Sequence, residues 1–213
     1  MSLEWCKQDG DAVLLVEGQS DCHVTLALCN QYNVTEKFGI YDCESDTNVL
    51  KRMNALINRP DPPRVIGIVL DADNPNLRAR WVSLQNKLAG NGYVLPEDPG
   101  PKGTILSNGN TTPRLGIWPM PNNQTDGMLE DFCCEMIAPE AISTVQMFVD
   151  DAKLNGPATF KDAHRSKAIV HTYLAIQDEP GRALGQSITA HVLRSDTATT
   201  EHFVKWLREL FDI

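Results

Sequence analysis

The 213-residue chain has no run approaching the roughly 18 apolar residues a membrane span requires. Its first residues, Met1-Ser2-Leu3-Glu4-Trp5, lack the basic flank and apolar core of a secretory leader. A cytoplasmic location with no membrane partner is therefore expected. No Cys-x-x-Cys pair occurs among the six cysteines, Cys6, Cys22, Cys29, Cys43, Cys133 and Cys134. A structural zinc site, whose ligands come in close pairs, is not expected, and the cysteines read as small buried hydrophobes in a reducing compartment. The five histidines form no close metal pair either. Basic charge is also short: residues 1–150 hold 11 Lys/Arg against 20 Asp/Glu, and residues 151–213 hold 8 of each, so the whole net charge of -9 lies in the first part. A protein gripping nucleic acid by charge alone is usually basic. This one needs bound metal, a local patch or a partner to handle a polyanion.

What is present is an alternation of strands and helices. Val13-Leu14-Leu15-Val16 ends abruptly at Glu17-Gly18 and reads as a buried parallel strand. Ser20 can cap a helix running to about Tyr32. Lys37 to Tyr41 suggests a second strand, and Val49, Met53, Leu56 and Ile57 mark a helix over 46–58. The strongest strand, Val65-Ile66-Gly67-Ile68-Val69-Leu70, stops at Asp71-Ala72-Asp73. A helix striped with Leu77, Trp81, Leu84 and Leu88 follows. Residues 91–125, rich in Gly, Pro and Asn, fit two short strands near 103–107 and 114–118 as an edge hairpin. Thr125 or Asp126 can cap a helix bearing Leu129, Phe132, Cys133, Met136 and Ile137. Helices near 139–153, 161–177 and 200–211 complete the chain. The expected class is α/β, a mostly parallel Rossmann-like sheet flanked by helices over residues 1–138, with a helical C-terminal extension over 139–213 packed on it.

Ligands of open parallel sheets bind beyond the carboxyl ends of the strands. Glu17 stands just past the first strand with Asp21 one helical turn later, and Asp71 and Asp73 stand just past the strongest strand. In extended chain, two acids spaced by one residue point to the same side and can face one ion. Clustered carboxylates favour protonation unless a cation is present, and hard oxygen ligands suit magnesium or manganese. Such ions can align a phosphodiester and stabilise a leaving oxygen. The competing reading makes the same acids helix caps and solvated loop residues. Alone, Asp-x-Asp is also shared with haloacid-type phosphatases and glycosyltransferases.

Val16-Glu17-Gly18-Gln19-Ser20-Asp21 after an apolar strand, with Leu70-Asp71-Ala72-Asp73 about fifty residues on, resembles the signature of the Toprim domain. Topoisomerases, bacterial primases, recombination-repair proteins and the OLD (overcoming lysogenization defect) nucleases share that domain. Gly116-Ile117-Trp118-Pro119-Met120-Pro121-Asn122-Asn123 and Gly127-Met128-Leu129-Glu130-Asp131 look like the matching part of a bacterial family of small OLD-like Toprim proteins. Lys167 through Gln177, Glu179-Pro180-Gly181 and Leu184-Gly185-Gln186 are similar to it too.

The resemblance implies a Toprim-like fold and a phosphodiester hydrolase using Mg2+ or Mn2+, two ions, on nucleic acid, DNA before RNA. Glu17 would be metal ligand or general base, and Asp71 and Asp73 metal ligands. Asp21 and Glu130 would extend the metal set, with Asp131 as the alternative to Glu130. Both of these are also ordinary first-turn acids facing a helix dipole. Lys167 matches the lysine OLD nucleases carry after their Toprim acids, where a fixed ammonium offsets transition-state charge. Lysine inside a helix more commonly faces solvent. His164, three residues earlier, would share its face if the helix already includes it, although a surface histidine is the plainer reading. Trp118 could stack on a base or serve packing.

There are departures from the pattern. Asn74-Pro75 stands where topoisomerases continue to a third aspartate, and no Gly-x-x-x-x-Gly-Lys-Ser/Thr loop supplies the ATPase that usually accompanies an OLD Toprim domain. An ATPase or DNA-binding partner subunit would fill that gap. Two alternatives remain: a non-catalytic Toprim-fold module holding metal and a nucleotide or partner protein, and a phosphatase of small phosphate esters.

Overall fold

The computed structural model describes residues 3–35, 37–107 and 113–213. Its centre is a five-stranded sheet in the order β2-β1-β3-β5-β4. The strands are β1 (Ala12–Val16), β2 (Gly39–Asp42), β3 (Val65–Asp71), β4 (Thr104–Leu106) and β5 (Arg114–Met120). The pairs of β1 with β2, β1 with β3 and β3 with β5 are parallel, whereas β4 runs antiparallel on the β5 edge. The α/β class, the mostly parallel sheet and the edge hairpin expected from the sequence are all present. Residues 108–112, between the hairpin strands, lie outside the described residues.

Both faces of the sheet are covered, which is why its central strands are apolar at consecutive positions instead of alternating. On one face Val13, Leu15, Ile66, Ile68, Leu70, Leu115 and Ile117 pack with Val49 and Met53 of α2 (Asp46–Ile57) and Trp81 and Leu84 of α3 (Leu77–Ala89). On the other, Leu14, Val16, Val69 and Trp118 meet α1 (Gln19–Gln31), α4 (Leu129–Cys134) and α8 (Ala198–Phe211). The remaining helices, α5 (Pro139–Asn155), α6 (Arg165–Ala175) and α7 (Leu184–Thr189), contribute Val145, Val170 and Ile188 to that same cluster. The docking of α8 depends on two glycines paired across β3 and β5. A Cβ on Gly67 would meet Leu14 Cδ1 at 2.6 Å and Leu210 Cδ2 at 2.9 Å, and one on Gly116 would also run into Leu210. The missing side chains make the hollow that Leu210 fills.

Several local expectations change. Ser20 does not cap α1; Gly18, in extended conformation, takes that place, and its carbonyl accepts the Cys22 N–H at 3.2 Å. The helix therefore starts at Gln19, two residues earlier than a Ser20 cap would place it. Asp126 does not cap α4, because its carboxylate accepts the Leu77 N–H at 2.7 Å, at the start of α3. The helix then begins at Leu129. Six-residue α7 went unanticipated. Cys6 and Cys22 form a disulfide with Cα atoms 5.9 Å apart, so the reading of all six cysteines as thiols fails for these two. A 3-10 turn over Leu3–Cys6 folds back beside the first turn of α1, a meeting that sequence spacing alone does not disclose. Trp118 is fully buried against Phe203 and Trp206, so its indole serves packing. No helix among the described residues is long and apolar enough to cross a membrane.

Candidate functional site

The carboxyl ends of β1 and β3 place the leading acids side by side. Glu17 follows β1 directly, Asp71 closes β3, and the Asp71 N–H donates to Glu17 Oε1 at 2.8 Å. Asp71 Oδ1 accepts the Leu129 N–H at 3.0 Å, and the Ala72 N–H donates to Gly127 O at 2.7 Å. These two bonds strap the start of α4 onto the strand end. Glu130 therefore enters the same region from α4, while Asp21 enters from the first turn of α1. Asp21 and Glu130 are both buried, at 8% and 7% exposure, whereas Asp73 stays exposed.

Burial dominates the electrostatics. It pushes the Glu17 carboxyl up to about 7, partly offset by the Asp71 N–H and the Arg80 charge. Asp21 rises to about 7 by burial, reinforced by Glu17 and Glu130. Asp71 rises to about 8 by burial, with Asp21, Glu17 and Asp73 adding to it. The acids thus feel one another as a strip: Glu17, Asp71 and Asp21 in the middle, Asp73 to one side and Glu130 at the end.

A cation closes each end of this strip. Lys167, exposed on α6, places Nζ 3.0 Å from Glu130 Oε1. Arg80, only 8% exposed, donates from Nε to the Asp71 carbonyl at 3.1 Å and from Nη1 to Asp46 Oδ2 at 2.8 Å. Burial works against ionisation of Asp46, but the Arg80 bond and two from Thr47 hold its pKa below the usual carboxylate range.

The structure brings together Glu17, Asp21, Asp71, Glu130 and Lys167. Both Asp131 oxygens are already engaged, Oδ2 by the Met128 N–H at 2.8 Å and Oδ1 by the Ser166 hydroxyl. His164 precedes α6, which begins at Arg165, so the helix does not carry it onto the Lys167 face. Arg80, Asp46 and Ser166 were missed. Arg80 had a signal: it stands three residues after Leu77 and four before Leu84, a charge inside the apolar stripe of α3. Asp46 and Ser166 had none, since their roles depend on partners from other elements.

The donor chemistry fits a hard divalent cation. Every acid offers oxygen, burial and mutual repulsion raise three of them to about 7, 7 and 8, and a cation would relieve that repulsion. The set is not pre-assembled, because among the described residues no three Asp, Glu, His or Cys side chains already converge as a ligand group.

No curated protein and no solved structure matches the chain. A family match, by contrast, spans residues 11–212, nearly all of it. With the sheet, the acid strip and the C-terminal helices all inside that span, the chain belongs to the family described as Protein of unknown function (DUF3226).

Proposed function

We propose that this protein is a metal-dependent phosphodiester hydrolase of the Toprim, OLD-like kind, acting on nucleic acid, DNA before RNA. The observation that carries the reading is the ion pair of Lys167 with Glu130 at the end of an acid strip that includes Glu17, Asp21 and Asp71. It joins a C-terminal lysine to acids drawn from three other elements, at the end of a parallel sheet where such folds bind ligands.

In this reading Glu17, Asp21, Asp71, Asp73 and Glu130 hold Mg2+ or Mn2+, two ions. When bound, these ions supply Lewis-acid activation and charge neutralisation at a phosphate. Glu17 Oε1 is fixed by the Asp71 N–H, leaving Oε2 for an ion or a water proton. Arg80 anchors the Asp71 carbonyl and so the strand end. Lys167 offsets charge gathering on the phosphoryl oxygens. A chain of net charge -9 holds a polyanion poorly by itself, so an ATPase or DNA-binding partner subunit belongs to the proposal.

The net charge of -9 favours a second reading, a module that binds metal and a nucleotide without cleaving anything. One assay separates the two. Purified protein is incubated with single-stranded, supercoiled and linear DNA and with RNA, under Mg2+, Mn2+ or EDTA, beside Glu17→Ala and Asp71→Ala. Metal-dependent cleavage lost in both variants supports the hydrolase. Mn2+ binding by calorimetry without cleavage of any substrate supports the module or a hydrolase that needs its partner subunit. No metal binding at all ends both.

A further inference from the structure

We propose that Asp131 and Ser166 are positioning residues, a hydrogen-bonded clasp between α4 and α6 that sets the Lys167 ammonium on the Glu130 carboxylate. Two consecutive acids of α4 hold two consecutive residues of α6. Asp131 Oδ1 accepts the Ser166 hydroxyl, and Glu130 Oε1 meets Lys167 Nζ at 3.0 Å. Asp131 is itself held, since its Oδ2 accepts the Met128 N–H at 2.8 Å and its own N–H donates to Met128 O at 3.0 Å. The Cys134 thiol adds a contact to the Ser166 carbonyl at 3.4 Å, on the same seam. On the other flank Arg165 grips Asp150 of α5 with two bonds, 2.8 and 2.6 Å. Three successive residues at the start of α6 therefore each reach a carboxylate.

This arrangement answers a physical difficulty. Lys167 has a long side chain, half exposed, which gives up rotamer freedom to reach a Glu130 carboxylate only 9% exposed. What keeps the ammonium at Glu130 is the rotational setting of α6, because a slip of one residue turns a helical side chain by about 100°. The Ser166 hydroxyl, pinned to a carboxylate that is fixed to its own backbone, fixes that setting beside Lys167, together with Arg165 on Asp150 and Val170 in the core. Asp131 thus has a task other than metal ligation, and both its oxygens are spent on it. The functional weight of the clasp rests on the reading of Lys167 as the site's cation; its existence does not.

The test uses the full chain and the variants Ser166→Ala, Ser166→Val and Ser166→Thr. The Val and Thr side chains share a shape and differ by the hydroxyl. Modification of Lys167 by a limiting amine-acylating reagent is followed by peptide mass spectrometry, relative to Lys205. Loss of the hydroxyl in Ala and Val is expected to raise the Lys167 rate about three- to tenfold, the span set by one ordinary hydrogen bond. Thr should return it to within about twofold of the parent. If the chain hydrolyses nucleic acid, Ala and Val should lower kcat with KM unchanged. Lys167 labelling at the parental rate in both Ala and Val overturns the clasp, whatever the hydrolysis assay shows. Altered labelling with no hydrolysis by any form upholds the clasp and removes the reading of this chain as a hydrolase that acts alone.

Discussion

The Asp71 peptide N–H lies 2.8 Å from Glu17 Oε1, so the acid that follows β1 is fastened to the backbone of the acid that ends β3. The pattern repeats once: Asp71 Oδ1 is held by the Leu129 N–H, one residue before Glu130. Each acid is oriented by the main chain of a different element, so moving one strand end disturbs at least two carboxylates. The site is therefore sensitive to backbone geometry as well as to charge.

Glu17 separates these two sensitivities. Glu17→Gln keeps an acceptor for the Asp71 N–H and removes the charge. Its thermal midpoint should match or exceed the parent's at neutral pH, while Mn2+ affinity by calorimetry falls at least about tenfold. Glu17→Ala also orphans the N–H and should lose a further 1–2 kcal/mol or so in urea unfolding. Equal destabilisation by both would show that the hydrogen bond in question contributes nothing.

The raised carboxyls set a pH dependence whose sign is definite. Unfolded, Glu17, Asp21 and Asp71 titrate near their ordinary values of 4.5, 3.8 and 3.8; folded, they titrate at about 7, 7 and 8. The folded state thus holds protons the unfolded state has already released. Their stabilising contribution is complete below about pH 4 and is lost as pH rises through 7 to 8. In EDTA the thermal midpoint should decline across that window and level off above it. With Mn2+ the decline should shrink, and metal affinity should rise with pH as fewer protons must be displaced. A midpoint that climbs from pH 5 to 8 in EDTA would contradict this picture of neutral, buried acids.

Gly116 and Leu210 test how the last helix is seated. Gly116→Ala forces a methyl into Leu210 and should cost about 1–3 kcal/mol of overpacking. Leu210→Ala alone leaves a cavity and should cost about 2–5 kcal/mol. Because each change compensates the other's error, the double variant should be more stable than the sum predicts by at least about 0.5 kcal/mol in urea unfolding. Strict additivity would mean that α8 shifts instead of packing against the glycine pair.

The elements legible in the sequence are those that one segment decides by itself. Val13 to Val16 and Val65 to Leu70 must be strands buried on both faces, because runs so short and so apolar have little else to become. The acids next to them were visible for the same reason. What stayed hidden depends on meetings between distant elements. Asp126 looks like a cap for the helix after it, yet it caps the N-terminus of α3, 49 residues earlier. Ser166 looks like a surface residue until α4 is docked beside it. The short α7, Leu184 to Thr189, carries a glycine at its second position and too few residues for a periodic stripe. That glycine is there because a Cβ on Gly185 would meet the His23 carbonyl of α1 at 2.5 Å, a contact no local pattern reveals.

The Cys6–Cys22 bridge has a topological consequence. It links residues 16 positions apart, and the segment it encloses contains all of β1 together with Glu17 and Asp21. Two of the candidate metal-binding acids therefore belong to a covalent ring. When the rest of the sheet comes apart, the ends of that ring stay together, so the segment that carries β1 has fewer conformations to gain on unfolding. In the oxidised protein the segment leading to Glu17 and Asp21 is covalently restrained even in the denatured ensemble, and reduction of one bond removes the restraint.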